Sequence, residues 1–205
     1  NKNVQTIWLR AGVIIGSGSA SFEIIRNLTE KLPIMTTPKW VNTKAQPIAV
    51  TDVLSYLHKS LYLDVKENLI VDIGSEQLSY KNMMLKTAKV LGLKRILITL
   101  PFMSIKLSSY WLNLFTPVPY AVAKALVEGL KSEVIIQNDH AKKYFPNIIP
   151  ISYEDAVANA IKEILQKSLE NKFKGLKTLK EIFDNDKMWD NIDLAIKIPF
   201  KKQFY

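Results

Sequence analysis

The sequence predicts an α/β domain in which part of the sheet is parallel. Short apolar, β-branched runs alternate with longer segments whose apolar residues recur at helical spacing. Such alternation is typical of parallel strands joined by helices. Apolar residues make up 48% of the 205, enough for a globular core, and no apolar run reaches the roughly 20 residues of a membrane-spanning helix. The chain has no cysteine, which excludes disulfides and thiolate metal sites and fits a cytoplasmic protein.

The strands are predicted from short apolar runs bounded by turn residues. They are Val4–Leu9, Gly12–Ile15, "NLIVDIG" and "RILITLP". The segment "SEVIIQND" is predicted as a weak strand or an extended loop, and "TTPKWVNTKAQP" as a loop.

The helices are predicted from amphipathic spacing and from capping residues. The first follows Ser19 or Ser21 as N-cap, with Glu23 in its first turn, and the third begins at Ser79 and ends before Gly92. The set comprises Ser21–Leu32, Thr51 or Asp52 to about Leu63, Ser79 to about Leu91, "SIKLSSYWLNLF", "YAVAKALVEGL" and Tyr153–Leu169. Beyond Lys172 the pattern loosens into a lysine-rich tail with a short helix near Leu179–Phe183.

The net charge of +9 raises the question of a nucleic-acid or membrane partner. Only three of the 28 basic residues are arginines, namely Arg10, Arg26 and Arg95. Because bidentate contacts to phosphates and bases favour arginine, the composition argues against nucleic acid. A solvated, lysine-rich surface is the favoured interpretation, with peripheral contact to an anionic membrane as the alternative.

The stretch Gly16-Ser-Gly-Ser-Ala-Ser21 has the position of a dinucleotide phosphate loop, between an apolar strand and a helix. It departs from that fingerprint in two ways. Ser21 stands where the fingerprint has its third glycine, and the following segment "PIMTTPKWVNTKAQP" offers neither an acid for the ribose nor a second strand. We therefore predict a tight turn with a helix N-cap. Tyr120 and Lys124 form a Tyr-x-x-x-Lys pattern of the kind used for proton transfer, but one such match is expected by chance in a chain this rich in lysine, so no catalytic residue is assigned.

Four segments together resemble a known family. "WLRAGVIIGSGSASFEIIRNL", "QPIAVTDVLSYL", "DIGSEQLSYKNMMLKTAKVLG" and "LSSYWLNLFTPVPYAVAKALVEGLKSE" are similar to the C-terminal half of extended or atypical short-chain dehydrogenase/reductase proteins, of the NAD(P)H-binding, nucleoside-diphosphate-sugar-epimerase-like type. The resemblance covers about residues 4–165. It implies the substrate-side half of a Rossmann-type fold over residues 1–172. Residues 173–205 would then be a tail or linker toward a further domain, often START-like with a helix-grip fold in such relatives.

The resemblance also implies site residues and NAD or NADP as cofactor. Leu9, Arg10, Ala11 and Gly12 would lie by the nicotinamide, although for Arg10 a structural ion pair is an equal alternative. The substrate side would include Ile14, Gly16, Ser17, Ser19, Phe22, Gln46 and Trp111. No metal site is indicated.

The family's phosphate loop, ribose-binding acid and catalytic Tyr and Lys all precede the Leu9-Arg10-Ala11 strand. The resemblance therefore implies a separate N-terminal half as partner, and it leaves open whether the longer protein is an enzyme. Ala45-Gln46 stands where sugar-nucleotide epimerases carry Arg-Asp, which disfavours nucleotide sugars. The apolar cluster at 110–115 instead favours a small, fairly apolar substrate, unless that cluster is ordinary core.

Three interpretations follow. The first is part of an NAD(P)-dependent oxidoreductase or epimerase-like protein, inactive as this chain alone. The second is a non-catalytic dinucleotide-binding accessory or assembly protein, like the accessory subunit of respiratory complex I. The third is a basic module for membrane or nucleic-acid surfaces, whose binding would fall steeply with salt.

Overall fold

The computed structural model describes residues 4–100, 128–129 and 132–183, with side chains through 99 and 174 in the first and last ranges. Eight strands and five α-helices have their bounds within these residues, together with a 3-10 helix at Lys39–Asn42. The strands are β1 (Ile7–Ala11), β2 (Val13–Ile15), β3 (Ile34–Pro38), β4 (Lys44–Ala45), β5 (Pro47–Ala49), β6 (Leu69–Ile73), β7 (Leu78–Ser79) and β8 (Ile96–Leu100). The helices are α1 (Ala20–Lys31), α2 (Val50–Ser60), α3 (Tyr80–Val90), α4 (His140–Tyr144) and α5 (Tyr153–Phe183).

The strands pair in parallel at three places, as the alternating pattern predicts. β1 pairs with β6, β2 with β5, and β3 with β8, whereas the short β4 and β7 are antiparallel. In the first pair Arg10 lies opposite Asp72. The α/β class with parallel strands is thereby confirmed.

One buried cluster of the core lies on one face of the β1–β6 pair. Ile7, Leu9 and Ala11 of β1 pack against a buried cluster made of Ile48, Tyr56, Leu69, Val71, Ile73 and Phe145. The alternate residues Trp8 and Arg10 are exposed. This two-residue period places the apolar half of β1 in the core and sends Arg10 to the opposite face.

Local signals set both ends of α3 close to where they are predicted. Ser79 is the N-cap of α3, and its Oγ accepts a hydrogen bond from the Asn82 backbone N–H at 3.2 Å. Gly92, just past α3, has φ +70°, a conformation that glycine adopts without steric cost. Ser19 is the N-cap residue of α1, although its side chain makes no capping bond.

The structure corrects two predictions and shows one helix that was not predicted. The segment assigned to a loop at 36–47 contains most of β3, the 3-10 helix, β4 and the start of β5, because β3 finds its backbone partner in β8, about 60 residues further on. The tail does not loosen at Lys172, because α5 continues unbroken to Phe183 and includes the short helix predicted there. The short α4 lies within a stretch for which no helix was predicted.

The helices predicted in "SIKLSSYWLNLF" and in most of "YAVAKALVEGL" lie outside the described residues, as do Trp111, Tyr120 and Lys124. The chain divides into two compact units, Asn1–Lys162 and Glu163–Tyr205. The domain boundary at residue 172 stays a prediction. Among the described residues, no helix combines the length and the apolar character needed to cross a bilayer.

Candidate functional site

A trough of about 570 Å³ runs along β1. It is lined by residues 8–12, by residues 133–137, and by Gln46, Asp72 and Ile73. The trough thus includes the carboxyl ends of β1 and β6, the edge of a parallel sheet at which α/β proteins bind ligands. All four residues that the resemblance places by the cofactor, Leu9, Arg10, Ala11 and Gly12, line it.

Arg10 forms a bidentate ion pair across the two strands. Its Nε lies 2.6 Å from Asp72 Oδ1, and its Nη2 lies 3.0 Å from Oδ2. The Gln137 backbone N–H also donates to Oδ2, at 2.9 Å. The hydrogen bonds from Arg10 lower the pKa of Asp72 against the opposing effect of burial, so this carboxylate is ionised and is a poor proton acceptor at neutral pH. Arg10 is therefore ion-paired, as one of its two alternatives predicts, and it also lines the trough. Its role beside the cofactor stays a prediction.

We expect Asp72→Asn to lower the free energy of unfolding at pH 7 by about 1.5–3 kcal/mol, the usual range for hydrogen bonds to a charged group. The pKa of Asp72 is lower in the folded chain than the roughly 3.9 of an unfolded one. Its stabilisation is thus complete above about pH 4 and is lost as the pH falls through the folded value. In urea unfolding between pH 7 and pH 3, the variant should lose less of its free energy of unfolding on acidification than wild type does. Asp64→Asn, at an exposed position, is the control; equal acid loss in wild type and Asp72→Asn would contradict the assignment.

The Gln46 side chain holds segment 133–137, which lines one side of the trough. Its Oε1 accepts a hydrogen bond from the Ile136 backbone N–H at 2.7 Å, and its Nε2 donates to the Ser75 carbonyl at 3.0 Å. The backbone adds bonds from Gln46 N–H to the Val134 carbonyl and from Val134 N–H to the Lys44 carbonyl, at 2.9 and 3.0 Å. The Gln46 amide therefore holds segment 133–137 against β4, and both ends of the amide are engaged in doing so.

The Gly16–Ser19 stretch is a closed turn. The Ser19 backbone N–H donates to the Gly16 carbonyl at 3.1 Å, and Ser19 Oγ donates to the Ile14 carbonyl at 2.6 Å. Gly18 has φ +84°. A Cβ on the buried Gly16 would lie 2.7 Å from Val50 Cγ1, so α2 packs directly on the turn. These contacts have the form of the tight turn that the sequence predicts.

This turn does not fit a dinucleotide pyrophosphate. A phosphate cradle presents backbone N–H groups and the positive end of a helix dipole to the anion. Here the Glu23 carboxylate lies in the first turn of α1, where its Oε2 accepts from Arg26 and Asn27. The Arg26 guanidinium is shared between Glu23 and Glu30, at 2.7 and 2.8 Å. The first turn of α1 thus carries the protein's own carboxylate, which is paired with Arg26 and Asn27.

A second cavity, of about 200 Å³ and mostly apolar, lies on the other side of Gly12. Gly12 and Val134 line both cavities, and a Cβ on Gly12 would lie 2.7 Å from Val134 Cγ1. The remaining lining residues are Val13, Ser21, Ile24, Ile25, Trp40, Tyr80, Met84 and Gly129. The rings of Trp40 and Tyr80 meet edge to face, with centroids 6.3 Å apart.

The substrate-side residues implied by the resemblance are scattered. Gln46 lines the trough, whereas Ile14, Gly16, Ser17, Ser19 and Phe22 line neither of these cavities. Phe22 is fully buried. Asp72, Trp40 and Tyr80 were not singled out from sequence. For Asp72 a signal existed, since an acid in the middle of the apolar run "LIVDI" needs a partner, and Arg10 is one of only three arginines.

No family model and no curated protein matches the chain. Solved structures do match it. dTDP-4-dehydrorhamnose reductase from Bacillus anthracis, in complex with NADP, aligns with a TM-score of 0.51 and 12% identity over 77% of this chain and 48% of its own. UDP-glucuronic acid 4-epimerase from Bacillus cereus, in complex with NAD, aligns with a TM-score of 0.53 and 14% identity over 80% of this chain and 47% of its own. L-threonine 3-dehydrogenase from Trypanosoma brucei aligns with a TM-score of 0.52 and 9% identity over 78% of this chain and 46% of its own.

The chain has the Rossmann-like fold of these reductases and epimerases. It spans about half the length of the solved structures that it matches. In this Rossmann-like frame, the trough occupies the edge at which the carboxyl ends of β1 and β6 emerge.

Proposed function

We propose that this chain is the substrate-side part of an NAD(P)-dependent oxidoreductase or epimerase-like protein that acts on a small, fairly apolar substrate. The observation that carries the proposal is the trough at the carboxyl ends of β1 and β6, next to an apolar cavity that shares Gly12. Ligands of Rossmann-like folds bind at this edge of the sheet. The solved structures with NADP or NAD bound support the choice of cofactor.

The chain's own residues would contact one end of such a cofactor. Leu9, Arg10, Ala11 and Gly12 line the trough, and the Nη1 of Arg10 has no partner among the described residues. When bound, a nicotinamide dinucleotide supplies hydride transfer. The pyrophosphate needs a helix N-terminus with a glycine-rich turn, which the turn before α1 does not provide. We therefore assign that end of the cofactor to a partner, an N-terminal half of the protein.

The described lining residues of the trough bind and orient rather than move protons. Their titratable groups are Arg10, Asp72 and Glu133. The first two neutralise each other in the ion pair, and Glu133 is exposed. A catalytic acid or base would then also come from the N-terminal half. In the absence of such a group, the longer protein would be the non-catalytic accessory protein of the second interpretation.

The test is turnover by a longer protein that adds the coding sequence upstream of Asn1. With NADH or NADPH and small apolar ketones or aldehydes, we expect substrate-dependent loss of absorbance at 340 nm. Dinucleotide binding without turnover for any such carbonyl would favour the accessory protein. Failure to bind either dinucleotide would contradict the proposal as a whole.

A further inference from the structure

We propose that the apolar cavity beside Gly12 binds an uncharged, single-ring compound with one hydrogen-bond acceptor oxygen, of the class of aryl or cyclic ketones and aldehydes. The inference rests on the proposed function in one respect, that this compound is the substrate. The size of the cavity, its lining and the Tyr80 hydroxyl carry it.

The volume fits one ring. An engineered apolar cavity of about 150 Å³ in another protein stays dry and takes up benzene. The cavity here is about 200 Å³, which leaves room for a ring and two or three further heavy atoms. A sugar nucleotide, with several rings and two phosphates, is far too large for it.

The described part of the lining is uncharged. Val13, Ile24, Ile25 and Met84 are buried apolar residues, and no charged side chain lines the cavity among the described residues. A charged ligand would lose its hydration here without a compensating partner. The edge-to-face pair of Trp40 and Tyr80 adds aromatic surface, against which a planar ring packs well.

The hydroxyl of Tyr80 supplies one polar contact. Tyr80 is 5% exposed and lines the cavity, yet its Oη has no hydrogen bond to any described residue. Burial raises the pKa of Tyr80 to about 12, so the group remains a donor at neutral pH. A carbonyl oxygen on the ligand would give it an acceptor.

The position of the cavity suits a substrate. Gly12 and Val134 line both the cavity and the trough, so the two spaces adjoin at these residues. A carbonyl held at the Gly12 end would lie beside the residues proposed to contact the cofactor. Reaction between substrate and cofactor requires the two to bind close together, and adjoining cavities allow this.

The test is calorimetric titration of acetophenone and of ethylbenzene, a probe of similar shape without the carbonyl, into the 205-residue chain without dinucleotide. We expect acetophenone to bind with a Kd of about 1 mM or tighter, as an efficient fragment does. Tyr80→Phe should weaken acetophenone about 3- to 10-fold and leave ethylbenzene within about twofold, which corresponds to the loss of one hydrogen bond. Tyr62→Phe, at a tyrosine that is 78% exposed, is the matched control and should change neither.

A second variant tests the cavity without touching Tyr80. Ser21 lines the cavity from α1, and Ser21→Leu would place a larger apolar side chain there, so binding of both probes should fall at least 10-fold. Failure of wild type to bind acetophenone, an equal loss of both probes in Tyr80→Phe, or full binding by Ser21→Leu would each overturn the inference. Because no dinucleotide is present, the two proposals fail separately. Acetophenone binding by this chain supports the inference even if the longer protein fails to bind NAD(P). Dinucleotide binding by the longer protein supports the proposed function even if this chain fails to bind acetophenone.

Discussion

The 205-residue chain alone is expected to bind NADH and NADPH no more tightly than about 1 mM, near −4 kcal/mol, whereas a longer protein with the N-terminal half should bind one of them at micromolar Kd. Most of the affinity for a dinucleotide comes from the pyrophosphate at a helix N-terminus and from a side chain that reads the ribose. Trough residues 8–12 would supply contacts to the nicotinamide end only. The expected difference is about a thousandfold.

The turn before α1 is the place at which this expectation could fail. Gly16 is packed against Val50, and the first turn of α1 carries Glu23, whose carboxylate is paired with Arg26. If α1 nevertheless holds phosphate, Glu23→Gln should strengthen dinucleotide binding by removing the repulsion. We expect no change in this variant. Calorimetric titration of wild type and Glu23→Gln with both dinucleotides decides the matter, and micromolar binding by the wild-type chain would restore Gly16–Ser21 as a phosphate loop.

Elements whose stability is decided locally could be predicted from the sequence. The run "LIVDI" contains only one polar residue and forms β6. Ser79 and Gly92 bracket α3 because a capping hydroxyl and a positive φ are requirements of the residues themselves. The two-residue period of β1 likewise follows from which of its side chains are apolar.

Features that depend on partners distant in the chain could not be predicted from the sequence. β3 contains two threonines and ends at Pro38, a composition that predicts a turn or loop. It forms a strand because its backbone pairs with β8. The Gln46 amide meets the Ile136 N–H across 90 positions of sequence, and no local pattern marks that contact. The trough and the apolar cavity are therefore products of the tertiary arrangement. The family resemblance implied that Leu9–Gly12 lie by the nicotinamide, and these residues line the trough. It could not show that the Ser19 hydroxyl closes its own turn.

Phe22 gives the clearest contrast between a residue implied by resemblance and its place in the structure. Its side chain is fully buried in the face of α1 that packs on the core. We expect Phe22→Ala to lower the free energy of unfolding by about 3–5 kcal/mol, from lost burial and from the cavity left behind. Domains are stable by only about 5–15 kcal/mol, so much of the variant would unfold on mild heating or at low urea. Thermal and urea unfolding followed by circular dichroism measure the effect.

The same substitution at Phe173, which is 43% exposed, should cost less than about 1 kcal/mol, so burial rather than residue type would account for the difference. Phe22→Leu keeps most of the apolar volume and should remain folded, with acetophenone affinity unchanged because Phe22 does not line the apolar cavity. If Phe22 contacted the substrate instead, we would expect the opposite pattern. Phe22→Ala would then be about as stable as Phe173→Ala. Phe22→Leu would lose affinity for the ligand but would unfold like wild type. That pattern would return Phe22 to the substrate site and remove it from the core.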